Sequence, residues 1–165
     1  MIDSNAKLYF GLEKDVFILK IIGDLRFNQC ASLDYFLKKT LQKKLDHRLL
    51  VDLSETELLD STALGLLAQI AMQFEKINQV QPDLYCPEND LKKVLNSMSL
   101  EQLFHFVSQA PQAHDLPELA IKSDSSDTQT QRVLSAHETL MGLSDNNKKE
   151  FQSVVDMLQD SLRNN

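Results

Sequence analysis

The residue whose type and setting invite chemistry is Ser61. It lies in the run Val51-Asp52-Leu53-Ser54-Glu55-Thr56-Glu57-Leu58-Leu59-Asp60-Ser61-Thr62-Ala63-Leu64-Gly65-Leu66-Leu67. Arg48 to Leu53 reads as a short buried strand, Ser54 to Asp60 as a loop carrying Glu55, Glu57 and Asp60, and Thr62 to about Ile77 as a helix. Ser61 thus stands where an exposed acidic loop meets a helix start. The simplest chemistry there is capping: Asp60 or Ser61 accepts hydrogen bonds from the free N–H groups of the first turn.

Signatures of catalysis are missing around it. The four histidines, His47, His105, His114 and His137, are dispersed, and none has metal-ligand spacing to another His, Cys or carboxylate. With only four glycines the chain has no phosphate-cradling loop, and it has no G-x-S-x-G elbow. A nucleophilic serine needs a base beside it, and no histidine is tied to Ser61 by sequence. Asp52 ends a buried strand, where a phospho-receiver domain keeps its acceptor aspartate. The acidic pair after the first strand is lacking, however, because only Gly23-Asp24-Leu25 stands there. Asp52 is therefore read as structural, holding the backbone that follows it. Cys30 and Cys86 form no CxxC motif and read as small buried apolar residues. These residues imply no enzyme, no cofactor and no metal.

The charge narrows the partners. Seventeen basic and 24 acidic residues give a net charge of −7, which disfavours direct nucleic-acid binding and docking on an anionic membrane. The paired lysines, such as Lys38-Lys39 and Lys43-Lys44, read as solvated helix faces. Met1 to Asn5 is polar, unlike a signal peptide, and Val16 to Ile22 is too short to span a bilayer. The expected location is the cytoplasm.

The elements that must position Ser61 follow from periodicity. Lys7 to Leu12 and Val16 to Ile22 form a hairpin across Glu13-Lys14-Asp15, and Gly23-Asp24 breaks the second strand. Asn28 offers an N-cap for a helix whose stripe is Cys30, Leu33, Phe36, Leu37 and Leu41. The helix behind Ser61 buries Ala63, Leu66, Leu67, Ile70, Ala71, Phe74 and Ile77 on one face. Leu84 to Cys86 is a strand, Leu91 to Met98 a helix and Phe104 to Val107 a last strand. The order ββαβαβαβ predicts an α/β fold with a mixed sheet of four to five strands and packed helices. Residues 108–131, with Pro111, Pro117 and a polar run, read as an extended linker that Leu116, Leu119 and Ile121 pin in part. Residues 132–165 read as a helical tail of two amphipathic helices, Arg132 to Met141 and a second capped by Ser144, with Phe151, Val154, Val155, Leu158 and Leu162 on one face. Helices this short need a surface to pack on: their own domain, a second copy in a homodimer, or a partner.

The first 107 residues resemble the STAS domain of bacterial anti-sigma factor antagonists. The carriers are Asp52-Leu53 ending a strand, Asp60-Ser61-Thr62-Ala63-Leu64-Gly65 opening a helix, Ile22-Gly23-Asp24-Leu25 as an early turn, and Leu91 to Val107 as closing helix, turn and strand. Ala63 and Ser99 stand where the family usually has Gly. The resemblance implies a STAS domain over 1–107, then the linker and the tail. It implies a phosphorylation-switched regulatory protein in which Ser61 is the phosphate acceptor, with Thr62 a second candidate. Leu58, Leu59, Asp60, Ser61, Thr62 and Leu64 would form the exposed docking face. The implied partners are an anti-sigma factor or related serine kinase, bound when Ser61 is bare, and a PP2C-type phosphatase. The alternative within the same fold is an accessory subunit of a membrane transporter that is never phosphorylated.

Overall fold

The computed structural model describes residues 6–120 and 123–165. The polar start and Ile121 lie outside the described residues. A five-stranded sheet carries the fold, in the order β1 (Lys7–Glu13), β2 (Val16–Leu25), β3 (Arg48–Leu59), β4 (Asp83–Tyr85) and β5 (His105–Phe106). β1 runs antiparallel to β2, and the other pairings are parallel. The crossovers are α1 (Ala31–Lys39), α2 (Ser61–Asn78) and α3 (Asp90–Ser97), and α4 (Ser126–Met141) and α5 (Asp145–Arg163) follow.

The hairpin closes through Lys14 and Asp15, both in the left-handed region at φ 46° and 66°. That geometry matches the twist of the flanking strands. Alternate residues Leu19 and Ile21 of β2, Leu49, Val51 and Leu53 of β3, and Leu84 of β4 are fully buried in one core with α2.

Two breaks expected from the sequence are absent. Gly23 does not end β2: at φ 82° it makes an irregularity that only glycine adopts readily, and the strand runs on to Leu25. The acidic segment 54–59 is likewise strand rather than loop. It pairs with the extended end of β2, burying Thr56 and Leu59 while Glu55 and Glu57 point to solvent. Thr56 Oγ1 donates to the Ile21 carbonyl at 2.7 Å. Glu55 and Glu57 alternate on the solvent side, so three acids in seven residues disguise a half-exposed strand as loop.

Asn28 does not cap α1. It sits inside a 3-10 turn, Phe27–Gln29, and α1 starts at Ala31 with Cys30 as its N-cap. Asp52 is buried and does hold the backbone that follows: Ser54 N–H donates to Oδ1 at 2.9 Å.

The segment after β5 is extended and strapped to β1. Phe10 N–H donates to the Pro117 carbonyl at 3.0 Å, and Leu119 N–H to the Leu8 carbonyl at 2.7 Å. This strap covers an edge that would otherwise be open to pairing. Helix begins at Ser126, capped by Ser125, rather than at Arg132. Ser144 caps α5 by accepting from Asn147 N–H at 3.0 Å, as expected. The helix pair packs on its own domain. Ala136, Leu140, Phe151 and Val155 are buried, with Leu140 and Phe151 in the main core cluster. Of the predicted stripe, Phe151 and Val155 are buried, Leu158 and Leu162 are partly buried, and Val154 turns outward.

Two measurements check this packing. Ser99, after α3, holds φ 66° where a glycine is at ease. Ser99→Gly should raise stability by about 1 kcal/mol in urea unfolding, left-handed relief outweighing the added chain entropy. Both cysteines are free. Burial, then Asp60, pushes the Cys30 thiol up to about 12, and burial pushes Cys86 up to about 11. At neutral pH a disulfide reagent should modify the native thiols at least ~100-fold more slowly than a free cysteine, and denaturant should abolish the difference.

Candidate functional site

Asp60 builds the site. Its Oδ1 accepts from Ala63 N–H at 2.9 Å, capping α2, and its Oδ2 accepts from Phe27 N–H at 2.6 Å. Its own N–H donates to the Leu25 carbonyl at 3.1 Å. One residue thus ties the end of β2, the 3-10 turn and the start of α2 together. The capping expectation resolves in favour of Asp60, which leaves the Ser61 hydroxyl free for another partner.

That partner is His137, seventy-six residues away in sequence on α4. Ser61 Oγ lies 2.8 Å from His137 Nε2, and His137 Nδ1 lies 2.6 Å from the Val133 carbonyl. A carbonyl only accepts, so Nδ1 carries the proton. In the neutral ring Nε2 then offers its lone pair, and the Ser61 hydroxyl donates to it. His137 is 5% exposed, and the Phe151 ring meets it edge-on at 5.2 Å. The fold supplies the base beside the serine that sequence spacing could not reveal.

α4 is held where this bond needs it. A Cβ on Gly65 would overlap the backbone of Ala136 and lie 2.7 Å from the Ala136 Cβ. No side chain fits there, so α4 rests directly on α2. Gln69 donates to Ser135 Oγ and Thr139 Oγ1, both at 3.0 Å. Ser61, Gly65 and Gln69, four residues apart, make one stripe under α4. Arg132 anchors the other flank: its Nε donates to Asp34 Oδ2 at 2.9 Å, and its Nη2 pairs with Asp124. Burial opposes the Arg132 charge, but the hydrogen bonds to Asp124 and Asp34 more than offset it, and the guanidinium stays charged.

Beside the Ser61–His137 pair opens a cleft of about 350 Å³, lined by Phe27, Asp60, Ser61 and Thr62 from the sheet domain and by Gln129, Thr130, Val133, His137 and Leu158 from the helix pair. Ser61 is partly buried and lines this cleft. The rest of the expected docking face is not exposed. Leu59, Thr62 and Leu64 are 5%, 2% and 2% exposed; Leu59 and Leu64 belong to the core, while Leu58 and Asp60 are partly buried. The continuation of β3 through Leu59 turns that side chain inward. The cleft residues of the helix pair and Phe27 escaped the sequence reading. Their one signal was an amphipathic tail lacking a surface. Among the described residues no group of His, Cys, Asp and Glu could hold a metal ion, and no helix is long and apolar enough to cross a membrane.

A sheet in this order, with a serine at the mouth of α2, defines a STAS-type domain. The chain belongs to the STAS domain family, whose pattern it matches over residues 12–113. In structure it resembles an anti-sigma factor antagonist from Mycobacterium paratuberculosis, with a TM-score of 0.53 and 14% identity over 79% of this chain and 96% of that one. An antisigma-factor antagonist STAS domain from Rhodobacter sphaeroides aligns with a TM-score of 0.35 and 22% identity, over 45% of this chain and 79% of that one. No curated protein sequence gives a significant match. The first likeness concerns the fold. α4 and α5 lie beyond the family's matched span.

The joint and the helix seat can be tested separately. Asp60→Ala should cost about 1–2 kcal/mol in chemical unfolding, the ordinary loss of a cap. Gly65→Leu should cost about 1–3 kcal/mol by overpacking. Its amide exchange should rise in α4 and α5 while β2 and β3 stay protected.

Proposed function

We propose that this protein is a phosphorylation-switched binding module, an anti-sigma factor antagonist in which Ser61 is the phosphate acceptor. Bare Ser61 marks the form that binds an anti-sigma factor or related serine kinase; the phosphorylated form does not bind, and a PP2C-type phosphatase restores the bare form. The observation that carries this reading is Ser61 itself, the first residue of α2 and part of the cleft lining, in the run Asp60-Ser61-Thr62 that resembles the family's signature. Thr62, buried beside it, is the poorer acceptor.

The electrostatics favour a switch of this kind. A phosphoserine brings about −1.5 to −2 charges near neutral pH. At a helix N-terminus the peptide dipoles offset part of that charge, so the sheet need not rearrange. Asp60 already lines the cleft, and its two oxygens are taken by backbone donors. The added charge therefore acts on whatever surface approaches Phe27, Ser61 and Leu158. Like-charge repulsion and desolvation of about 3 kcal/mol would weaken binding by roughly a hundredfold. Binding control of this kind needs only a surface whose charge can change.

The test uses protein recovered from its native cell. Mass spectrometry should find phosphate on Ser61 under some growth condition. Immobilised wild type and Ser61→Ala should retain the same identified anti-sigma factor or kinase, and Ser61→Asp should retain at least about tenfold less. Equal retention by all three removes Ser61 from the mechanism.

A further inference from the structure

We propose that His137 is the built-in acid–base partner of Ser61: it takes the hydroxyl proton when a phosphoryl group arrives and then holds the phosphate as an imidazolium. This rests on the reading of Ser61 as the acceptor.

The geometry is that of a base-activated hydroxyl. Nε2 lies 2.8 Å from Oγ with its lone pair facing the hydroxyl, and the Val133 carbonyl fixes the tautomer at 2.6 Å. The ring has little freedom to swing, being 5% exposed and set against Phe151. The helix that carries it is seated on Gly65 and pinned through Arg132 to Asp34.

The transfer balances with a nucleoside triphosphate as donor, brought by a kinase. The Oγ–P bond forms, the bond from the γ-phosphorus to the bridging oxygen breaks, and the nucleoside diphosphate leaves with that electron pair. The Ser61 proton passes to Nε2. The imidazolium then has both N–H groups satisfied, Nδ1–H on the Val133 carbonyl and Nε2–H on a phosphate oxygen. Hydrolysis by a phosphatase runs the proton back to Oγ.

Among the described residues that line the cleft, His137 is the one that becomes a cation by taking up a proton. From α2 the charged neighbour is Asp60, already engaged by two N–H groups. On α4, Arg132 is committed to Asp34 and Asp124, and Glu138 engages Gln159 at 3.3 Å. From α5, Phe151 against the ring and Leu158 in the cleft carry no charge, and the 3-10 turn contributes Phe27. Gln129 and Thr130 add neutral polar groups across the opening. The tail is thereby part of the switch: it reads the state of Ser61 through one ring.

The experiment installs phosphoserine at position 61 of the full chain by genetic encoding, with the histidines labelled by ¹⁵N. At about pH 8 an ordinary imidazole is neutral. Nitrogen NMR of the bare chain should show His137 neutral with its proton on Nδ1; the phosphorylated chain should show both nitrogens protonated, with α4 amides as protected as before. In phosphorylated His137→Gln, α4 amides should exchange about tenfold faster than in bare His137→Gln, the loss expected for a missing charge-assisted hydrogen bond. A His137 ring that stays neutral beside the phosphate, or α4 amides that fall to solvent exchange because the phosphate has expelled the helix, would overturn the proposal. Because the phosphate is installed directly, such a result leaves the cellular role of Ser61 standing. Failure to find the modified serine in cells does the reverse.

Discussion

Asp60 is the constraint on which the site depends. A carboxylate can cap one helix with one oxygen; here the second oxygen reaches across to Phe27, and the residue's own N–H meets Leu25. The Leu25–Phe27 stretch and the start of α2, more than thirty residues apart in sequence, meet at one residue. Because Asp60 takes the capping role, Ser61 is released from it. A serine that capped its own helix would have its hydroxyl turned into the first turn, with nothing left to present to the cleft.

The second constraint is the absence of a side chain at Gly65. Close packing requires that helices at this separation meet without an intervening Cβ, and the Ala136 backbone fills the space. That contact sets the height of α4 above α2 and so the 2.8 Å between Ser61 and His137. Gln69 and Arg132 hold the rotation of the helix on either flank. The helix pair is an extension of the STAS core that completes the wall of its cleft.

Much of the sheet was legible. The hairpin, the apolar β2, the crossover helices and the closing α3–β5 segment follow from apolar periodicity, and the D-S-T run placed Ser61 at a helix start. The misreadings share a cause. Glu55 and Glu57 looked like loop because a strand with one solvated face tolerates acids on that face, and Gly23 looked like a terminator because a bulge and a break use the same residue. The polar stretch 126–131 looked like linker although its first turns only need a cap, which Ser125 supplies. In the expected docking face, Leu59 is buried because β3 stays paired with β2 to its last residue, and Leu64 is buried in the core from α2, neither a property of local composition.

By itself the sequence determined the family, the order of strands and helices, and the serine at the mouth of α2, because each of these is written in spacings of a few residues. Only the tertiary structure decided what Ser61 touches. The pairing with His137 spans seventy-six positions and arises from helix packing at Gly65. Contacts of that kind come from shape and close approach between elements, which no local pattern encodes.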